Sequence, residues 1–213
     1  MTGSSPTTGL QTLDPSSAEA INAVHHLYDP PLWLVTAAES STPGSPRGGC
    51  IATFVARASI VKRMPRMLAG IARQHHSWRM IESSGRFALQ LLPESGLDLV
   101  WQFALQSGND VNKFADLPDK RTPGGSPLID GTLSWFDCRV ETSTPTGDRT
   151  VYVAAVTDGG IIKPGGGPPL TAGRLMALAP PDKREQLDRL YTRDGAIDGR
   201  AIQAWRTQKP DRV

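Results

Sequence analysis

The run Arg47-Gly-Gly-Cys-Ile-Ala-Thr-Phe-Val-Ala-Arg-Ala-Ser-Ile60 constrains the fold of this chain more than any other stretch. It mixes apolar and β-branched residues with small and hydroxyl ones and contains no proline. Gly48–Ile60 therefore reads as one long strand of the kind that bends around a barrel. Further strand-like runs cover 33–37, 67–72, 86–92, 133–141 and 150–157. The last two are joined by the Gly-containing loop Thr142–Asp148. Only short helical patterns stand between the strands. Leu97, Val100, Trp101, Ala104 and Leu105 recur at helical spacing over 97–106, and Gly108 stops them. Ser77–Ser84 is a shorter helix with Ser77 as cap and Gly85 just past its end. Asp110 opens a turn of helix through Phe114. Ala18–Leu27, capped by Ser16 or Ser17, Asp182–Tyr191 and Asp198–Trp205 complete the set. Strands in this order, without long crossover helices, argue against a doubly wound parallel sheet. They predict a mainly β fold, an antiparallel barrel of roughly six strands with short peripheral helices.

Composition narrows the class. Hydrophobic residues make up 38% and charged residues 21%, as in a soluble globular chain. A formal charge of +2 is too small to argue for nucleic acid or a membrane surface. No apolar run approaches the roughly 20 residues that span a bilayer. Met1–Ser17 is rich in Ser, Thr, Gly and Pro, lacks an apolar core, and reads as a disordered tail rather than a secretory signal. A domain over 18–180 and a helical extension over 181–213 are expected to follow. Cys50 and Cys138 lie in apolar runs and read as buried, reduced thiols of a cytoplasmic protein.

Several residues suit an anion-and-ring cradle. Thr53 and Ser59 can donate hydroxyl hydrogen bonds. Ser77 stands where a helix start aims N–H groups at a phosphate. Arg73, Arg57 and Lys62 can supply charge, or be solvated surface cations. Phe54 reads first as core packing, with ring contact as the alternative. Trp78 can cover a ring or pack in a core or interface. One of His75 and His76 can donate to a phosphate. Neither His pair, 25–26 nor 75–76, has Cys or carboxylates at ligand spacing, so no metal is expected. No G-x-G-x-x-G follows a strand and no P-loop is present. Gly165–Pro169 is a loop stiffened by proline.

Taken in order, the motifs resemble the flavin reductase-like family, whose fold is an FMN-binding split β-barrel. Trp33-Leu-Val-Thr36 is similar to its opening strand. Gly49–Ser59 is similar to its Gly, small, Thr/Ala, Ser/Thr, Phe and Ser-x-Ser pattern. Ser77–Gly85, with Ile81 and Ser84, is similar to its Thr-x-x-x-Ile-x-x-Ser-Gly. Phe103 with Asp110-Val-Asn-Lys-Phe114, and Asp137–Val140 with Gly147-Asp148, are similar to its later segments. The resemblance runs from about Leu32 to Asp158. It departs at Ser59–Pro65, where a longer basic segment replaces a Pro-Pro pair, and at His75-His76-Ser77. No His follows His76, so a C-terminal His-Gly of some reductases is absent.

The resemblance implies an FMN cofactor, with FAD possible, bound by Thr53, Phe54, Val55, Ala58, Ser59, Arg73, His75, His76, Ser77, Lys113 and Phe114. It implies an NAD(P)H-dependent flavin reductase moving hydride to flavin N5, with no protein side chain as obligatory catalyst. The alternative is a flavin-binding electron carrier or sensor without nicotinamide turnover. It also implies a homodimer with flavin sites at the interface, where Trp78 and Trp101 would serve as exposed aromatics, and a partner flavin-dependent oxygenase.

Overall fold

The computed structural model describes residues 13–25, 27–162 and 165–208. The elements in chain order are α1 (Pro15–His25), β1 (Trp33–Ala38), β2 (Arg47–Ala52), β3 (Val55–Arg57), β4 (Arg66–Ala72), α2 (His76–Ser84), β5 (Arg86–Leu91) and α3 (Leu97–Ala104). The two-residue strands β6 (Lys120–Arg121) and β7 (Pro127–Leu128) follow. The chain ends with β8 (Ser134–Pro145), β9 (Arg149–Ile161), α4 (Ala172–Leu178) and α5 (Pro181–Gln208). Seven strands form one antiparallel sheet in the order β2-β1-β5-β8-β9-β4-β3, and β6 pairs with β7.

The sheet must curl, because its two edge strands are neighbours in sequence. β2 ends at Ala52 and β3 begins at Val55, so only Thr53 and Phe54 connect opposite edges. Gly48–Ile60 is therefore not one strand. The chain leaves β1 as partner and takes up β4, and the break falls where the partner changes. The expected split antiparallel barrel is the fold observed.

Two cores lie on the two faces of the sheet. Every residue of β1 is buried. Successive side chains on a strand point to opposite faces. Trp33, Val35 and Ala37 thus join Ile71, Phe87, Leu89 and Tyr152 in one cluster. Leu34 faces the other way, with Val100, Phe103, Phe114, Leu170 and Leu175. The Gly48-Gly49 pair lets helices press on β2. A Cβ at Gly48 would lie 2.7 Å from the Ser77 Cα, and one at Gly49 would lie 2.7 Å from the Phe103 ring. These two glycines set α2 and α3 against the strand that leads to the Thr53-Phe54 join.

Other boundaries differ from expectation. Ser16 and Ser17 lie inside α1. Asp14 takes the capping role, its carboxylate accepting from Ser17 N (3.0 Å) and from both serine hydroxyls. Of the expected disordered tail, residues 1–12 lie outside those described, and Pro15–Ser17 are helical. Ser77 is not the cap of α2; His75 occupies that position. Residues 110–114 form turns rather than helix. The β8–β9 connection shortens to 146–148, because the polar stretch Thr142–Pro145 still pairs with β9. The two expected C-terminal helices are one, α5, and α4 had no clear apolar period to announce it. Cys50 and Cys138 are free and buried. No helix among the described residues is long and apolar enough to cross a membrane.

Candidate functional site

The open edge of β3 is the starting point. Phe54 O accepts from Gly70 N, and Ala58 N donates to Arg66 O, which fixes the pairing phase of β3 with β4. Antiparallel alternation then turns Arg57 N–H and the Val55 and Arg57 carbonyls away from β4, toward the free edge. Phe54 stands at one end of this edge with its side chain 58% exposed, so it is not a core residue.

Cations gather at the same end. Register pairs Ala72 with Arg149, the first residue of β9, so Arg149 emerges beside Arg73. The Arg149 guanidinium lies 4.4 Å over the Phe54 ring, and that of Arg73 lies 5.3 Å over the Trp78 ring. The N-terminus of α2 opens nearby. His75 gives it no side-chain cap, and Trp78 N bonds back to His75 O. The N–H groups of His76 and Ser77 have no intrahelical partners.

Beneath the edge lies a buried polar cluster. Ser77 Oγ donates to Cys50 Sγ at 3.1 Å. Burial is the largest influence on each and opposes ionisation of Cys50 and protonation of His75, but the interaction of the two groups, together with Ser77 and Lys113 at Cys50 and Asp194 at His75, outweighs it. The Cys50 thiol is held below its usual range and the His75 imidazole above its own. Burial lowers the neighbouring His76, aided by Arg79. Lys113 Nζ donates to Gly49 O (3.1 Å) and Phe103 O (2.8 Å), and burial lowers its pKa.

The eleven residues expected to line a cofactor are thus dispersed. Thr53, Phe54 and Arg73 lie toward one end of the β3–β4 hairpin, whereas His75 stands beside Cys50 at the start of α2 and His76 lies against Gly108 and meets Arg79 at 3.1 Å. Ala58 and Ser59 lie at the other end, about 13 Å along at roughly 3.3 Å per residue. There Ser59 Oγ accepts from Val61 N, and Arg57 Nε donates to Ser59 O. Val55, Ser77, Lys113 and Phe114 are interior, at 7%, 1%, 7% and 1% exposure. Trp78 and Trp101 are half-buried against the two cores rather than exposed. The exposed apolar side chains near β3 are Phe54, Ile60, Val61 and Met64.

Sequence reasoning missed Arg149, Gln74 and Asp198. Arg149 Nη2 donates to Asp198 of α5 at 2.9 Å, and Gln74 faces the same carboxylate. Only strand register and the path of α5 reveal them.

The residues present fit a flavin nucleotide. Edge backbone groups suit a ring, Arg73, Arg149 and the α2 N-terminus suit a phosphate, and His75 Nδ1 and Gln74 Nε2 are buried without hydrogen-bond partners.

Likeness to known proteins agrees with this geometry. Residues 25–176 match the flavin reductase like domain. The chain is 32% identical over 123 residues to the actinorhodin polyketide dimerase of Streptomyces coelicolor, covering 58% of this chain and 65% of that one. It is 32% identical over 99 residues to the flavin-dependent monooxygenase reductase subunit HsaB of Mycobacterium tuberculosis, covering 46% and 51%. The match thus spans half to two thirds of those relatives' own lengths. A flavin reductase domain protein from Arthrobacter sp. FB24 shares the fold at TM-score 0.61, 19% identity, and 72% and 89% coverage. With the matched segment spanning most of the chain and enclosing the β3 edge, the protein belongs to the flavin reductase like domain family.

Proposed function

We propose that the chain is a flavin reductase that binds FMN, with FAD as the alternative flavin, and uses NADH or NADPH as reductant. The observation that carries this reading is the open edge of β3 with Arg149 over Phe54 at its end, next to Arg73 and, three residues on, the uncapped start of α2. The flavin, when bound, supplies the redox chemistry by accepting hydride. The protein's residues hold and orient it. Arg73, Arg149 and the His76 and Ser77 N–H groups face a phosphate, and the β3 edge offers Arg57 N–H and two carbonyls to a ring. Ala58 and Ser59 mark how far along the hairpin the ligand can extend. Ser77, Lys113 and Phe114 act from beneath by fixing β2 and α2.

Two copies are proposed to pair over the exposed Phe54, Ile60, Val61 and Met64. A flavin-dependent oxygenase is the proposed consumer of reduced flavin, in line with the monooxygenase reductase subunit among the relatives.

Fluorescence titration with FMN, then NADH and NADPH oxidation with free FMN, tests the reading. Saturable binding with nicotinamide oxidation supports it. Tight FMN binding without oxidation favours a flavin carrier or sensor, a reading to which the lack of any His after His76 lends weight. No FMN binding refutes both.

A further inference from the structure

Arg149 is gripped by carboxylates at the place where the site needs a free cation. Its Nε donates to Asp148, and its Nη2 donates to Asp198 of α5 at 2.9 Å. The side chains of Arg149 and Asp198 are 20% and 18% exposed, so the pair is less screened than a surface one. The other face of the guanidinium covers Phe54 at the open edge.

The contact is incompletely satisfied on the α5 side. Asp198 Oδ1 and Gln74 Nε2 are both buried, and neither has a hydrogen-bond partner, although the two side chains face each other. Burial pushes the Asp198 carboxyl up against the pull of Arg149. None of the residues of α5 is buried. The helix touches the barrel at separate points. Lys183 lies over Trp101, Asp194 acts on His75, Asp198 holds Arg149, and Ala201, Ile202 and Trp205 close on Gly147. Asp194 and Asp198 therefore bring negative charge to the positive side of the proposed site.

We infer that Arg149 is a further anion-binding residue of this site and that Asp198 is its built-in competitor, so that flavin phosphate and docked α5 oppose each other. The inference rests on the flavin reading. Coupling of this kind is reciprocal: what loosens α5 tightens the phosphate ligand, and the phosphate ligand loosens α5. It also distinguishes ligands, because riboflavin has the ring but no phosphate.

The test uses the full chain and its Asp198→Asn variant, titrated with FMN and with riboflavin by fluorescence. Removing the competing charge is expected to lower the FMN Kd about fivefold, the size of a modest partly buried ion pair, and to leave riboflavin within twofold. In the unmodified chain, saturating FMN is expected to speed limited proteolysis within α5. That measurement decides the matter if the variant does not fold. An FMN Kd that is unchanged or raised overturns the inference and makes Asp198 an orienting partner of Arg149. Parallel shifts for FMN and riboflavin, or slower cleavage of α5 with FMN, overturn it as well. Absence of FMN binding to both proteins is separable from these outcomes, because there the flavin reading itself fails.

Discussion

Ser77 Oγ points inward, donating at 3.1 Å to Cys50 Sγ across the contact of α2 with β2. Only the backbone N–H of Ser77 faces the start of the helix. Ser77→Ala is therefore expected to cost stability, about 1 kcal/mol for one buried hydrogen bond. The FMN dissociation constant should stay within twofold. Urea unfolding and a flavin titration of the same variant check both halves. A large loss of affinity at unchanged stability would return the hydroxyl to the phosphate side.

The Cys50–His75 pair gives a pH signature. Burial alone would lower His75, but its interaction with Cys50, helped by the charge of Asp194, raises it above its ordinary 6.5. A proton held more tightly in the folded than in the unfolded chain stabilises fully below the unfolded value. That contribution is lost as pH rises through the folded value. The stability difference between the unmodified chain and His75→Gln should thus be largest below pH 6.5 and shrink above it. In Cys50→Ala only burial remains as the larger effect, so His75 should titrate below its ordinary value. NMR titration of the ring protons reads this directly.

Gly48 tolerates no side chain, because the atoms that a Cβ would meet at 2.7 and 2.9 Å are the Ser77 Cα and backbone N. Backbone cannot rotate aside as a flexible side chain can. Gly48→Ala is expected to destabilise by about 2–3 kcal/mol and to weaken flavin binding, since α2 must retreat from β2. Thermal melts and FMN titration together test this. An unchanged melting temperature would contradict it.

Lys113 is expected to be structural in its effect and catalytic in none. Its Nζ supplies hydrogen bonds to Gly49 O and Phe103 O. Lys113→Met keeps the aliphatic length but orphans both carbonyls, for a loss of about 2–3 kcal/mol. Turnover per folded molecule should change little, and denaturation midpoints measured beside flavin-saturated rates check it.

The barrel was readable where one period ruled a segment. Trp33–Ala37, Arg86–Leu92 and the Leu97–Leu105 spacing each fix an element nearly to its ends. The break at Thr53-Phe54 was not readable, because strand preference runs on through it and the cause is a change of partner elsewhere in the sheet. The site divides similarly. Arg73 and His75 stand close in sequence to the helix start they serve. Arg149 reaches them only through its register with Ala72, and Asp198 only through the path of a helix whose own sequence is mostly polar. The interior placement of Lys113 also escaped notice, since a lysine is ordinarily a surface residue and here two otherwise unpaired carbonyls draw it inside.

The two-residue join of β2 to β3 means that covalent chain, not a ladder of hydrogen bonds, fastens the seam of this barrel. Along the seam the backbone still presents groups that a neighbouring strand would ordinarily satisfy. Recognition there amounts to finishing an incomplete sheet. A ligand filling the β3 edge would have to imitate the donor and acceptor spacing of a peptide.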